Sequence, residues 1–250
     1  MKQTFGKRYL LPAAALCLIT LSILLAKAQK VSSQYAEAAM TDPAETILII
    51  DAGHGGADGG AVSLSGAKES RINLEIALKL DQIMGFYGIE SVLTRTSEVL
   101  DYSGKAHTIR EKKAEDQKRR IKLINETDNA VLISIHQNIF PDGSPSGAQV
   151  LYAATPGSEE FSEFMQKSLI GALNPQNRRT ATRIPKSILL FSKISCPAIL
   201  IECGFLSNAA EERLLRTDTY RLKVAAVIAA GYLCNKKALS EIYSGGTNES

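Results

Sequence analysis

"ILIIDAGHGGADGGAV", Ile47–Val62, decides the fold. Its first four residues are apolar and β-favouring, too short a run for a helix, and bounded by a glycine cluster, so they read as a strand buried on both faces. Glycine alone explains a tight turn after that strand. It does not explain the histidine inside it. Working outward, the pattern recurs in "SVLTR" (91–95), "AVLISIH" (130–136), "GAQVLYAA" (147–154), "ILLF" (188–191) and "AILIE" (198–202). Amphipathic stretches near 69–86, 109–126, 158–173 and 211–234 separate these runs and read as helices. Apolar strands alternating with helices predict an α/β fold, a mostly parallel twisted sheet of about six strands with helices on both faces. The helix over 69–86 presents Ile72, Ile76, Leu80 and Ile83 to the sheet. The helix over 109–126 is highly charged and reads as a solvated surface helix held by Ile109, Ile121 and Ile124.

The ends of the chain differ from its middle. Lys2, Lys7 and Arg8 precede an uncharged run, Tyr9–Ala26, near the lower limit for crossing a bilayer. Residues 1–30 are therefore expected to be a signal peptide or a membrane anchor, with the rest of the chain on the outer side of the membrane. Leu16 beside Cys17 argues against a lipid-modified cysteine. Residues 31–45 read as a linker, 46–236 as one catalytic domain and 237–250 as a flexible tail. The formal charge of +3 is misleading, because five basic residues and no acid lie in residues 1–30, leaving −2 for the remainder. No basic footprint for nucleic acid remains. Of the cysteines beyond the leader, Cys196 and Cys203 flank a strand and stand roughly 20 Å apart, which excludes a disulfide between them. No CxxC pair or GxxxxGK[ST] loop occurs.

Three histidines are present, His54, His107 and His136. His54 follows one strand and His136 closes another, so both sit where parallel sheets bind ligands, outside the carboxyl ends of the strands. Glu202 ends a third apolar strand, and burying it there unpaired is costly. Two imidazoles and a carboxylate are a catalytic zinc set. Spacing alone leaves the carboxylate open among Asp51, Asp58, Glu69, Glu75 and Glu202. His107, in a polar segment, is expected on a solvent-exposed loop. Cys203 reads as a packing residue, since a thiolate nucleophile needs a histidine partner.

"DAGHGG", "KESRINLEIALKL", "SIHQN" and "IECGFLSN", in that order, resemble the four motifs of the zinc-dependent N-acetylmuramoyl-L-alanine amidases, the amidase type 3 family. The resemblance spans residues 46 to about 235. "SIHQN", the single leader and the lack of wall-binding repeats are most similar to the germination-specific members, which act on spore-cortex peptidoglycan. It implies that zinc is bound by His54, Glu69 and His136, and that Glu202 is the catalytic carboxylate. Asp51 and Asn138 match positions beside the site, either orienting the imidazoles or capping strand ends. Arg95 also matches and is a candidate for substrate carboxylates or, preferably, a salt bridge to a neighbouring helix. Peptidoglycan is the implied substrate, and a monomer is expected. Residues 137–201 leave no surplus for an inhibitory helix, so regulation falls to a protein partner or to expression. The rival readings are a zinc peptidase cutting stem peptides and a wall-binding protein without turnover.

Overall fold

A computed structural model describes residues 45–244; the leader, most of the linker and residues 245–250 lie outside the described residues. Six strands, β1 (Ile47–Ala52), β2 (Ser91–Leu93), β3 (Ala130–Asn138), β4 (Gln149–Tyr152), β5 (Thr182–Arg183) and β6 (Ala198–Phe205), form one sheet. Its order is β2-β1-β3-β6-β4-β5. Every pairing is parallel except β4 with β6. Thus β1, β3 and β6 lie side by side in the centre, and all three point their carboxyl ends the same way.

Period-two alternation divides each central strand between two cores. Leu48, Ile50, Val131, Ile133, Ile199 and Ile201 face helices α1 (Glu69–Phe86), α3 (Ser158–Leu173) and α5 (Asp218–Ser244). Ile49, Leu132 and Leu200 face the other side, covered by Ile124 of α2 (Ile109–Asn125) and by Leu190, Phe191 and Ile194. Helices therefore cover both faces, as the apolar strands require. A short helix, α4 (Ala209–Leu215), precedes α5. Among the described residues no helix is long and apolar enough to cross a membrane.

Four expectations are corrected. "ILLF" is no strand: a turn closed by Ile188 N–H on Pro185 O leads into a 3-10 turn at Leu190–Ser192. Its apolar residues cover the sheet instead of joining it, a distinction a four-residue run does not encode. The edge strand is Thr182–Arg183, both residues exposed and carrying no apolar signal. The helix expected over 211–234 is two helices, and the second continues to Ser244, eight residues beyond the expected end of the domain at 236. Leu239 is buried there, Ile242 packs on the same core, and the Tyr243 hydroxyl donates to Ala130 O at 2.5 Å, so this stretch is not a tail. Ile109 is exposed, while Ile121 and Ile124 hold α2 as expected, joined by a buried arginine, Arg120.

Candidate metal centre

His54 lies two residues past β1 in a left-handed conformation, φ 60°, which costs a non-glycine residue free energy. Gly55 and Asp58 exchange both backbone hydrogen bonds and fold the loop back. Two glycines are required by close approach. A Cβ on Gly53 would lie 2.3 Å from the His136 ring, and one on Gly60 would lie 2.6 Å from Glu69 Oε2 and 2.8 Å from His54 Cδ2. The loop thus folds directly over the first turn of α1, where Glu69 sits.

Glu69 is the carboxylate brought to both imidazoles. Its Oε1 is 3.0 Å from His136 Nδ1, and its Oε2 is 3.3 Å from His54 Nε2. The two rings meet edge-on with centroids 5.0 Å apart. One donor atom from each of His54, Glu69 and His136 fits within 4.8 Å of the others. Behind the donors, Glu69 accepts from Ala61 N–H at 2.8 Å, Gln137 N–H at 3.0 Å and Asn73 Nδ2 at 3.3 Å. The other nitrogen of His54, Nδ1, bonds Asp58 Oδ2 at 2.9 Å, and Lys113 Nζ reaches the same oxygen at 2.7 Å. Asp58, weighed from the sequence as a ligand, therefore orients the imidazole, as carboxylates behind metal-bound histidines do. Glu75 faces away, paired with Arg71 and Arg221.

Two of the three flanking positions, Asp51 and Arg95, differ from expectation. Asp51 accepts from Arg120, Thr94 and Ser134 rather than from an imidazole. Asn138 caps its own strand end, its Oδ1 accepting from Ile139 N–H. Arg95 is buried beneath the loop, donating to Ala52 O, Gly53 O and Ser70 O, and its ion pair is with Glu98 in its own loop. It is 5% exposed and does not line the cleft that holds His54, His136 and Glu202. Arg120 was not among the sequence candidates: a charged helix gives no sign that one of its arginines turns inward. His107 is exposed, as expected.

Burial lowers the basicity of His54, but the Asp58 and Glu69 carboxylates outweigh it and raise its pKa to about 9. Burial would raise the Glu69 carboxyl, yet both imidazoles hold it well below the usual carboxylate range. Glu202 is the contrast. It stands across from His136 in the β3–β6 register, and its Oε2 is buried without a hydrogen-bond partner among the described residues. Burial, opposed by His136 and reinforced by Glu69, raises its pKa to about 7. Glu202, His54 and His136 line one cleft of about 360 Å³ whose far wall is the turn Ser187–Phe191. A larger groove of about 760 Å³ on the outer side of α1 is lined by none of these residues. The donor set, two imidazole nitrogens and a carboxylate with a further unpaired carboxylate beside them, fits a divalent cation of the zinc type.

The family described as N-acetylmuramoyl-L-alanine amidase matches residues 48–233 of this chain. The chain is similar to the germination-specific N-acetylmuramoyl-L-alanine amidase of Bacillus subtilis, 37% identical over 190 residues, which are 75% of this chain and 78% of that protein. Among solved structures it is similar to the CwlD amidase from Clostridioides difficile in complex with the GerS lipoprotein, with a TM-score of 0.73 and 34% identity, covering 78% of this chain and 99% of that one. The N-acetylmuramoyl-L-alanine amidase AmiC2 of Nostoc punctiforme gives a TM-score of 0.65 at 25% identity, covering 77% and 98%.

Proposed function

The chain belongs to the N-acetylmuramoyl-L-alanine amidase family and is an amidase of peptidoglycan, and from that premise we propose how and where it acts. The substrate is spore-cortex peptidoglycan, outside the cytoplasmic membrane, reached through the leader over residues 1–30 and the linker over 31–45. His54, Glu69 and His136 hold zinc, and Glu202 moves the proton. The observation that carries this reading is the buried, unpartnered Oε2 of Glu202 opposite His136. A structural carboxylate at a strand end would be paired, whereas one that must exchange a proton needs a free oxygen.

Zinc in that position supplies Lewis-acid polarisation of the scissile carbonyl and acidifies water. The chain's own groups do the rest. Asp58 holds His54 with Nε2 toward the site, and three backing donors fix the Glu69 carboxylate. Glu202, poised near neutrality, takes a proton from the attacking water and delivers it to the departing alanine amine. The apolar turn Ile188–Phe191 walls one side of the cleft and limits water at the reacting bond. Regulation by a lipoprotein partner is proposed on the strength of the assembly in which the Clostridioides difficile neighbour was solved.

Digestion of cortex peptidoglycan by the purified protein, followed by HPLC and amine labelling, tests the reading. The expected products are stem peptides with a new L-alanine amine and glycan stripped of peptide. Shortened stems with the muramoyl–alanine amide intact would identify a zinc peptidase instead.

A further inference from the structure

We propose that Arg95 and Arg120 are positioning residues whose guanidinium groups set the backbone of His54 for metal binding, an inference that rests on the metal-site reading above. Arg95 donates through Nε to Ala52 O at 2.9 Å and through Nη2 to Gly53 O at 3.1 Å. Arg120 donates through Nη1 to Ala52 O at 2.7 Å and through Nη2 to His54 O at 2.6 Å. Gly53 O and His54 O belong to the two peptide planes on either side of the His54 Cα. Holding both planes fixes φ and ψ of a residue whose left-handed conformation is otherwise unfavourable. Arg95 Nη2 also donates to Ser70 O at 2.6 Å, next to Glu69, so the same group ties the histidine loop to the helix that carries the carboxylate. The loop packs on Arg95 closely enough that a Cβ on Gly55 would lie 2.8 Å from its Nε. Arg120 is anchored in turn by Asp51 and by Asp116 at 2.8 Å.

Charge alone does not account for this pair. Two guanidinium ions beside the place of a divalent cation oppose its binding by Coulomb repulsion. What they contribute is the rigid fork of donors, which lysine lacks. The geometric role therefore predicts that charge-preserving substitution does not rescue.

Zinc affinity of the full-chain protein, measured by competition with a chromogenic chelator, tests this in Arg95→Lys, Arg120→Lys and Asp116→Asn. The cobalt-substituted visible spectrum and the metal-free unfolding midpoint are recorded alongside. The lysine variants are expected to bind zinc about tenfold or more weakly, with an altered cobalt spectrum, and Asp116→Asn about threefold more weakly. Lysine variants that fold and bind zinc within about twofold of the wild type would overturn the proposal. Should both fail to fold, Asp116→Asn decides: unchanged zinc affinity overturns it and weakened affinity supports it. His54→Ala separates the two levels of inference. If it keeps the metal, the metal-site reading fails; if it loses the metal while both lysine variants keep it, only the clamp fails.

Discussion

Glu202 places a carboxylate where β6 offers its Oε2 no hydrogen-bond partner among the described residues, and its proton affinity near neutrality follows from that enclosure. Glu202→Gln keeps the shape and removes the proposed proton transfer. The expected loss in kcat is about 10²- to 10⁴-fold, with zinc content by metal analysis unchanged. A variant that loses its zinc instead would make Glu202 a ligand. At this scale the placement of His54, His136 and Glu202 at one end of the sheet was legible in the sequence, because polar groups ending apolar strands project from the sheet edge. Glu69 was not separable from Asp58 by spacing, since an acid in the first turn of a helix also suits the helix dipole. Asp58 and Arg120 were hidden for a different reason: their roles depend on which way side chains point between segments distant in sequence.

Among the elements, α1 and α3 lie at the positions periodicity gave, because each carries a continuous apolar stripe. The misassigned elements are those whose burial is decided by their neighbours. "ILLF" is apolar because it covers the sheet and walls the cleft, while Thr182–Arg183 pairs at an exposed edge with no apolar residue at all. The last two turns of α5 look polar in sequence, yet they bury Leu239 against the core and set Ile242 against Gly157 at the start of α3. Truncation after residue 236 is thus expected to destabilise the domain by about 3 kcal/mol, on the burial of two aliphatic side chains. Calorimetry should show the midpoint falling by about 10 °C for a domain of this size. A midpoint unchanged by truncation would return these residues to the status of a tail.

Across the whole molecule, Asp51 joins four elements, accepting from Thr94 after β2, Arg120 of α2 and Ser134 of β3 while itself on β1. Burial raises its carboxyl, but Arg120 and the two hydroxyls outweigh that and hold its pKa at about 2, below the ordinary 3.8. A carboxyl depressed by folding stabilises fully above its unfolded pKa and loses that contribution as pH falls through the folded value. The wild type should therefore lose about 2 kcal/mol more than Asp51→Asn between about pH 4 and pH 2, by chemical denaturation. Parallel acid limbs for the two proteins would remove Asp51 from the account.

The strand order carries one more consequence. His54, His136 and Glu202 stand on three adjacent strand tips, yet β6 enters the sheet only after β4 and β5 have been passed in the chain. A chain emerging amino end first can pair β1 with β3 and gather its imidazoles early, but Glu202, the proposed proton carrier, arrives with the final strand. On the proposed roles, a chain ending before β6 carries the metal donors without Glu202 and is expected to be inert toward peptidoglycan until the sheet is closed.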